Sequence, residues 1–222
     1  MSPLLQNIEA WAQANQWPVQ VSSTTASTND DARGFTTSES RWLCATDHQT
    51  NGRGRGDHRW IDQGASTPGS QLLLSLGFEV QGAPQPVITT RVGHALWQAA
   101  EKTWPHLSWG LKPPNDLHLD GHKVAGVLIE AVQSAGSTRW IVGLGLNLTW
   151  HPPDIPGTTD LSKHDPAAPQ RILSFLELWS EACESCAESC TEVRLREKVR
   201  QELQGVLRRR HPCRLRPPTG RR

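Results

Sequence analysis

Between residues 107 and 149 the chain offers strand after strand, with no room for a helix between them. The segments 107–112, 117–119, 123–131 and 139–149 are apolar and rich in β-forming residues. Asp120-Gly121 separates the second from the third and is a strong tight-turn signal. Upstream, Leu4, Leu5, Ile8, Trp11 and Ala12 form one helical stripe, followed by short strands at 19–21 and 42–45. Ser27 to Asp31 reads as a helix start, with cap-type side chains and acids in the first turn. Gln71 to Phe78 is a further strand, and Pro86 to Trp104 has helical spacing through Val87, Val92, Ala95, Leu96 and Ala99. Residues 151–169 read as a loop, and one or two helices are expected from Pro169 to Arg210. This order is not the regular alternation of a doubly wound fold. It predicts an α+β domain, a mixed β-sheet covered by helices.

At 222 residues the chain is long enough for one sizeable domain, read here as residues 1–205, with 206–222 as a basic tail. The formal net charge is +1 but unevenly spread: residues 191–222 hold 11 basic against 3 acidic side chains, and residues 1–190 hold 12 against 19. The acidic balance of the larger part argues against a nucleic-acid-binding protein, which needs a basic face. No apolar run reaches the ~18 residues of a membrane helix, and the N-terminus lacks the pattern of a signal peptide. Five cysteines do not make a secreted disulfide framework, so a cytoplasmic protein with reduced thiols is expected. Cys183, Cys186 and Cys190 share one helical face without a clear fourth metal ligand and read as small core residues. Ten tryptophans are expected to supply much of the core, and the absence of tyrosine excludes tyrosine chemistry.

Five segments carry chemistry. In Gln49 to Trp60, glycines alternate with arginines, so backbone N–H groups and guanidinium forks can converge on an anion. The spacing is not that of a phosphate-binding Walker loop. The same residues also suit an Arg-Gly contact to nucleic acid or a solvated loop. Lys112-Pro113-Pro114-Asn115-Asp116 sets a lysine at a strand end, where it can neutralise a transferring oxygen; it is also good turn chemistry. Gly121 to Glu130 and Gly143 to Asn147 are apolar strands interrupted by small residues, the mark of a bulge or of a closely approaching ligand. Ser23 to Asn29 supplies hydroxyls that suit a helix cap or a small polar ring.

Together, in this order and spacing along residues 20–150, the segments resemble the biotin protein ligase family. The resemblance implies a biotin/lipoate ligase-like catalytic domain that uses biotin and ATP with Mg²⁺. Such an enzyme makes biotinyl-5′-AMP and transfers biotin to a lysine of a carrier domain, here the biotin carboxyl carrier protein of acetyl-CoA carboxylase. By the same resemblance Ser27, Thr28, Asn29, Gln49, Arg53, Gly54, Arg55, Trp60 and Lys112 are expected around biotin. Arg53, Arg55, Lys112, Asn115, Lys123 and Asn147 are expected around ATP or its adenylate. Lys112, Arg53 and Arg55 are the expected catalytic cations, and Asp116 an aid to the metal.

The family loop reads Gly-Arg-Gly-Arg-Arg-Gly, whereas Gly56 and Asp57 occupy its last two places here; Pro113 stands where the family has Trp. A monofunctional ligase is expected, with no DNA-binding module ahead of Val19, no DNA or membrane partner, and the small C-terminal β domain of most members missing or reduced. The alternatives are a degenerate member that binds biotin or its adenylate without transfer and, from another class, a nucleic-acid-binding protein using the Arg-Gly loop and basic tail.

Overall fold

The computed structural model describes residues 1–210 with the exception of 65, 135, 136, 193 and 196. A seven-stranded sheet runs through it: β1 (Val19–Ser22), β2 (Arg41–Thr46), β3 (Gln71–Val80), β4 (Trp109–Lys112), β5 (Asp116–Leu119), β6 (His122–Ser134) and β7 (Ser137–Asn147). The spatial order is β1-β2-β3-β7-β6-β5-β4. Only β1 and β2 pair parallel, and the four closely spaced segments form an antiparallel run, as their short connections require. The Asp120-Gly121 turn is left-handed at both residues, with φ 48° and 84°. This is the conformation that Asp-Gly tolerates and most other pairs do not.

Period-two alternation gives the sheet two different faces. Leu72, Leu74, Leu76 and Phe78 of β3, with Trp140, Val142, Leu144 and Leu146 of β7, join the main core. Helices α1 (Pro3–Ala14), α3 (Ile88–Thr103), α4 (Ile172–Glu188) and α5 (Glu197–Arg210) pack onto this face and add their buried residues to that core. The expected α3 stripe Val92, Ala95, Leu96 and Ala99 is buried there. Cys183 and Cys186 of α4, and Cys190 just beyond it, are also buried in it. Trp42, Trp104, Trp140 and Trp179 are among the largest fully buried side chains of the protein.

The opposite face carries small residues: Ser75 and Gly77 of β3, Gly143 and Gly145 of β7, and Gly126 of β6. Each glycine here is a notch that something fills. A Cβ on Gly77 would lie 2.0 Å from the Trp42 ring, one on Gly143 2.2 Å from Asn29 Oδ1, and one on Gly145 2.4 Å from the Trp60 ring. Helix α2 (Thr28–Gly34) covers the Trp42 end, where Ala32, Trp42, Cys44 and Ile141 form a small second core. The remainder of this face is left open.

Residues 151–169 are a loop with two 3-10 turns, at Leu161–Lys163 and Ala168–Arg171. The boundary expected at 205/206 falls inside α5, whose Leu203 and Val206 are both buried. Most of the basic tail, residues 211–222, lies outside the described residues, as does Cys213.

Candidate active site

The open part of the sheet face is a cavity of about 280 Å³. Twelve of the thirteen residues singled out for the site line it: Ser27, Thr28, Asn29, Gln49, Arg53, Gly54, Arg55, Trp60, Lys112, Asn115, Asp116 and Lys123. Three stretches that are far apart in sequence, 27–29, 49–60 and 112–123, therefore meet at one place.

One end is closed and saturated with hydrogen bonds. Ser27 precedes α2 but gives it no side-chain cap bond, so its hydroxyl is not spent on the helix. Thr28 donates from its backbone N–H and from Oγ1 to Gln49 Oε1, at 2.9 and 3.2 Å. Ser75 Oγ, fully buried on β3, lies 2.8 Å from Thr28 Oγ1 and 2.6 Å from Asn29 Oδ1. Asn29 Nδ2 donates to Glu130 Oε2 at 2.7 Å. Below Gln49, Asp62 accepts from the Gln49 N–H at 2.7 Å and sits 2.7 Å from His48 Nδ1. Thr25 and Gln49 form a parallel bridge that ties the hydroxyl turn to the start of the glycine-arginine loop.

That loop folds back on itself. Trp60 N–H donates to the Gly52 carbonyl at 3.1 Å, Gly54 N–H donates to the His58 carbonyl at 2.7 Å, and Gly56 turns the tip with φ 63°. A side chain at Gly52 would meet the Trp60 carbonyl at 2.7 Å, which is why backbone can approach backbone there. The turn lays the Trp60 ring across Gly145 as one wall of the cavity.

The loop's arginines have different surroundings. Arg53 grips Asp30 with both terminal nitrogens, at 2.6 and 2.9 Å, and reaches Glu130 at 3.0 Å. Its hydrogen bond to Asp30 raises the Arg53 pKa and is the main reason the Asp30 carboxyl titrates below its ordinary value, against an opposing effect of burial. Glu130 also receives Arg33 at 3.1 Å. Arg53 was expected as a catalytic cation; the structure brings it to the cavity with its guanidinium already committed to two carboxylates. Arg55 is exposed at the cavity rim and makes no ion pair among the described residues.

The third group stands on β4, β5 and β6. Lys112 ends β4, exposed and without an ion pair among the described residues. Its turn is pinned from two sides. Asn115 Nδ2 donates to the Val127 carbonyl at 2.7 Å, and Val127 N–H returns a bond to the Asn115 carbonyl at 3.1 Å. From α3, Gly93 lies so close that a Cβ would sit 2.2 Å from the Pro114 carbonyl. Lys123 Nζ lies 2.8 Å from Asp116 Oδ1 and 5.9 Å from the Trp60 ring centroid. Asp116, expected to help a metal, is thus paired with a lysine, and no group of three or more His, Cys, Asp or Glu among the described residues suits a metal ion. This donor set does not fit a resident Mg²⁺, which needs several oxygen ligands or substrate phosphates.

Asn147 is the one expected residue the structure does not bring to the cavity lining. It is buried, accepting from Gln71 Nε2 at 2.6 Å and donating to the Thr159 carbonyl at 2.9 Å. Sequence reasoning missed Asp30 and Glu130 as partners of Arg53, and Ser75 beneath the hydroxyl turn. A signal existed for Ser75, a lone hydroxyl in an otherwise apolar run.

Residues 17–147 match the Biotin/lipoate A/B protein ligase family, and the chain belongs to it. Among curated relatives, it is 34% identical over 131 residues to the biotin–[acetyl-CoA-carboxylase] ligase of Mycobacterium tuberculosis, covering 56% of this chain and 46% of that protein. It is 32% identical over 117 residues to the enzyme of the same name from Paracoccus denitrificans, covering 52% and 47%. The chain thus spans under half the length of these relatives. Of solved structures, the Leishmania major biotin protein ligase in complex with biotin superposes with a TM-score of 0.65 at 21% identity, over 92% of this chain and 86% of that one. The Aquifex aeolicus biotin protein ligase in complex with biotin and ATP gives 0.60 at 24%, over 77% and 72%. At these identities the superpositions speak for the fold, a helix-covered mixed sheet.

Proposed function

We propose that this protein activates biotin with ATP and passes it to a lysine of a biotin carboxyl carrier protein, that of acetyl-CoA carboxylase. The observation that carries the reading is the single cavity in which hydroxyl turn, glycine-arginine loop, Lys112 turn and Lys123 converge. Its polar closed end suits the ureido ring of biotin, with Ser27, Thr28 and Gln49 as hydrogen-bonding groups. Trp60, packed on Gly145, gives the aliphatic part an apolar wall. The cationic end, with Lys112, Lys123 and Arg55, suits a carboxylate meeting a phosphate.

In the first step a biotin carboxylate oxygen attacks the α-phosphorus of ATP, and pyrophosphate leaves. In the second the ε-amine of the carrier lysine attacks the carbonyl carbon of the mixed anhydride, an amide forms, and AMP leaves with the bonding pair. No covalent enzyme nucleophile is needed. Positioning and fixed charge do the work. Mg²⁺ enters as part of the substrate, magnesium–ATP. We place the activity in the cytoplasm and assign it to one catalytic domain that runs through α5; no helix among the described residues is long and apolar enough to cross a membrane. The named curated relatives are biotin ligases, which favours biotin over lipoate.

The test is mass spectrometry of a carrier domain incubated with the protein, biotin and magnesium–ATP. One added biotin on one lysine supports the proposal. Biotinyl-5′-AMP without carrier modification would instead identify a protein that activates or holds biotin but does not transfer it. Neither product at saturating substrates sinks the enzymatic reading.

A further inference from the structure

Lys123 lies beyond the point where the sheet can hold it on both sides. The β6–β7 ladder ends at Ala125 opposite Leu146, so β7 does not reach Lys123. A different piece of chain takes its place. Lys123 N–H donates to the Gly157 carbonyl at 2.7 Å, Thr159 N–H donates to the Lys123 carbonyl at 2.9 Å, and Lys123 and Thr158 form a parallel bridge. His118 of β5 stands opposite Lys123 on the other side, so the residue lies between β5 and the strap, and both of its backbone hydrogen bonds go to the strap.

The strap at 157–159 is itself fastened by side chains that the proposed chemistry leaves unused. Asn147 Nδ2 donates to the Thr159 carbonyl at 2.9 Å, joining the strap to the end of β7. His164 spans two groups: its Nε2 lies 2.9 Å from Thr159 Oγ1 and its Nδ1 2.9 Å from Asp120 Oδ2. A carboxylate can only accept, so Nδ1 carries a proton toward Asp120, while Nε2 pairs with the Thr159 hydroxyl, which can donate or accept. His164 therefore clips the strap to the β5–β6 turn. Next to it, Asp160 is buried and takes His151 Nδ1 at 2.6 Å and Ser162 Oγ at 2.7 Å.

We propose that His164 and Asn147 are positioning residues: they clamp segment 157–159 against Lys123 and so fix where its ammonium enters the cavity. A lysine is a flexible stem on which little is preset beyond its Cα. Holding that Cα between β5 and the strap sets the reach of Nζ between Asp116 and the Trp60 ring. A misplacement of about 1 Å is enough to cost on the order of 10²-fold in a reaction governed by positioning. The inference rests on the proposed function only in giving Lys123 an anionic ligand to meet. The strap itself is independent of it.

The experiment uses the full chain and three variants, His164→Ala, His164→Gln and Lys123→Ala, with the double variant His164→Ala/Lys123→Ala. Amide hydrogen exchange is read at Lys123 and Thr159, and adenylate formation is followed against biotin concentration. In His164→Ala the two amides should exchange at least about tenfold faster while β3 and β7 amides keep their protection. KM for biotin should rise about tenfold with a smaller change in kcat. His164→Gln, which keeps one donor and one acceptor, should bring both readouts back to within about threefold of wild type. In the Lys123→Ala background, His164→Ala should add less than about twofold, because the group it positions is gone. Unchanged exchange at Lys123 would overturn the strap, and multiplying kinetic effects in the double variant would overturn its link to Lys123. Should the wild-type protein neither bind biotin nor form adenylate, the functional proposal falls, and the strap is decided by the Lys123 amide alone.

Discussion

The two ends of the cavity are built on opposite plans. At the closed end, Thr28, Asn29, Gln49 and Ser75 hold one another in buried hydrogen bonds before any ligand arrives. At the open end, Arg55 and Lys112 are exposed and make no ion pair among the described residues. A neutral polar ring is recognised by groups already aimed, because each buried polar atom left without a partner is costly. A triphosphate that arrives, loses pyrophosphate and departs as AMP is better met by charges that solvent and substrate can share. Fixing many cations together in a dry site would itself be expensive. The glycines follow the same division. Gly143 and Gly145 make room for fixed partners at the closed end, whereas Gly56 only turns an exposed loop tip.

The largest expected effect lies at the open end. Lys112→Ala should slow single-turnover adenylate formation by about 10²–10³-fold, the usual result of removing one preorganised charge-stabilising donor. The thermal midpoint should hardly move, since Lys112 is exposed at a strand end. A normal adenylation rate would take Lys112 out of the chemistry and leave Lys123 as the principal cation.

Next comes the closed end. Gly143→Ala drives a methyl toward Asn29 Oδ1, 2.2 Å away, and Asn29 is held there by Ser75 and Glu130. KM for biotin should rise about 10–100-fold together with a loss of about 1–3 kcal/mol in stability, because a buried hydrogen-bonded network is being displaced. Calorimetry with biotin and urea unfolding check the two halves separately. If both are unchanged, the closed end is less rigid than its hydrogen bonds indicate, and the contrast between the ends weakens.

Parts of this arrangement were legible in the sequence, and the division has a physical cause. The consecutive strands between 109 and 147 and the Asp-Gly turn were readable because both signals are local; that they pair antiparallel is shown by the structure. The twelve cavity residues were implied by the resemblance of five segments in one order and spacing, and no one of those segments would have named them alone. The partners of Arg53 did not, because Asp30 sits on α2 and Glu130 on β6, and only tertiary packing brings 30, 53 and 130 together. That Asn147 stands outside the cavity lining was hidden for a related reason. A polar residue ending a glycine-bearing strand faces a ligand or a neighbouring segment with equal local propensity, and the segment that claims it, 157–159, returns through a proline-rich loop with no periodicity to read.

Arg53→Ala tests whether that arginine belongs to the ligand or to the frame. The variant leaves Asp30 and Glu130 with Arg33, 3.6 and 3.1 Å away, as the cation they still share, and removes the closer two-nitrogen grip of Arg53. Adenylate formation should fall about tenfold, mainly because the loop loses its anchor to α2 and β6. The pH dependence gives the sign. The folded pKa of Asp30 lies below its unfolded value, so the pair stabilises the fold fully above about pH 4 and the contribution is lost as pH falls through the folded pKa. Wild type should therefore lose an increment of stability on acidification that Arg53→Ala lacks. Identical acid unfolding profiles would show that the Arg53–Asp30 contact carries no weight in the fold.

The smallest effects are expected at the loop tip, where the open plan is most extreme. In the proposed reaction a mixed anhydride that escapes would acylate stray amines, so a site performing it has to retain the anhydride until a carrier arrives. With Arg53 committed to the frame, Arg55 and Arg59 are the loop arginines left at the cavity, and Asp57 sits between them, two residues from each, in the same exposed loop. Charges this exposed act weakly through solvent, so each change is worth only a few-fold. Arg55→Gly should speed release of labelled adenylate by about three- to tenfold, with biotin then appearing on lysines of bystander proteins. Asp57→Gly should slow release by about twofold, because it removes a negative charge near an anion site. Both differences should shrink as salt is raised, whereas the effect of Gly143→Ala should not, and this sets the two ends of the cavity against each other in one titration. Equal off-rates in wild type and both loop variants would mean that retention is set by the closed end alone.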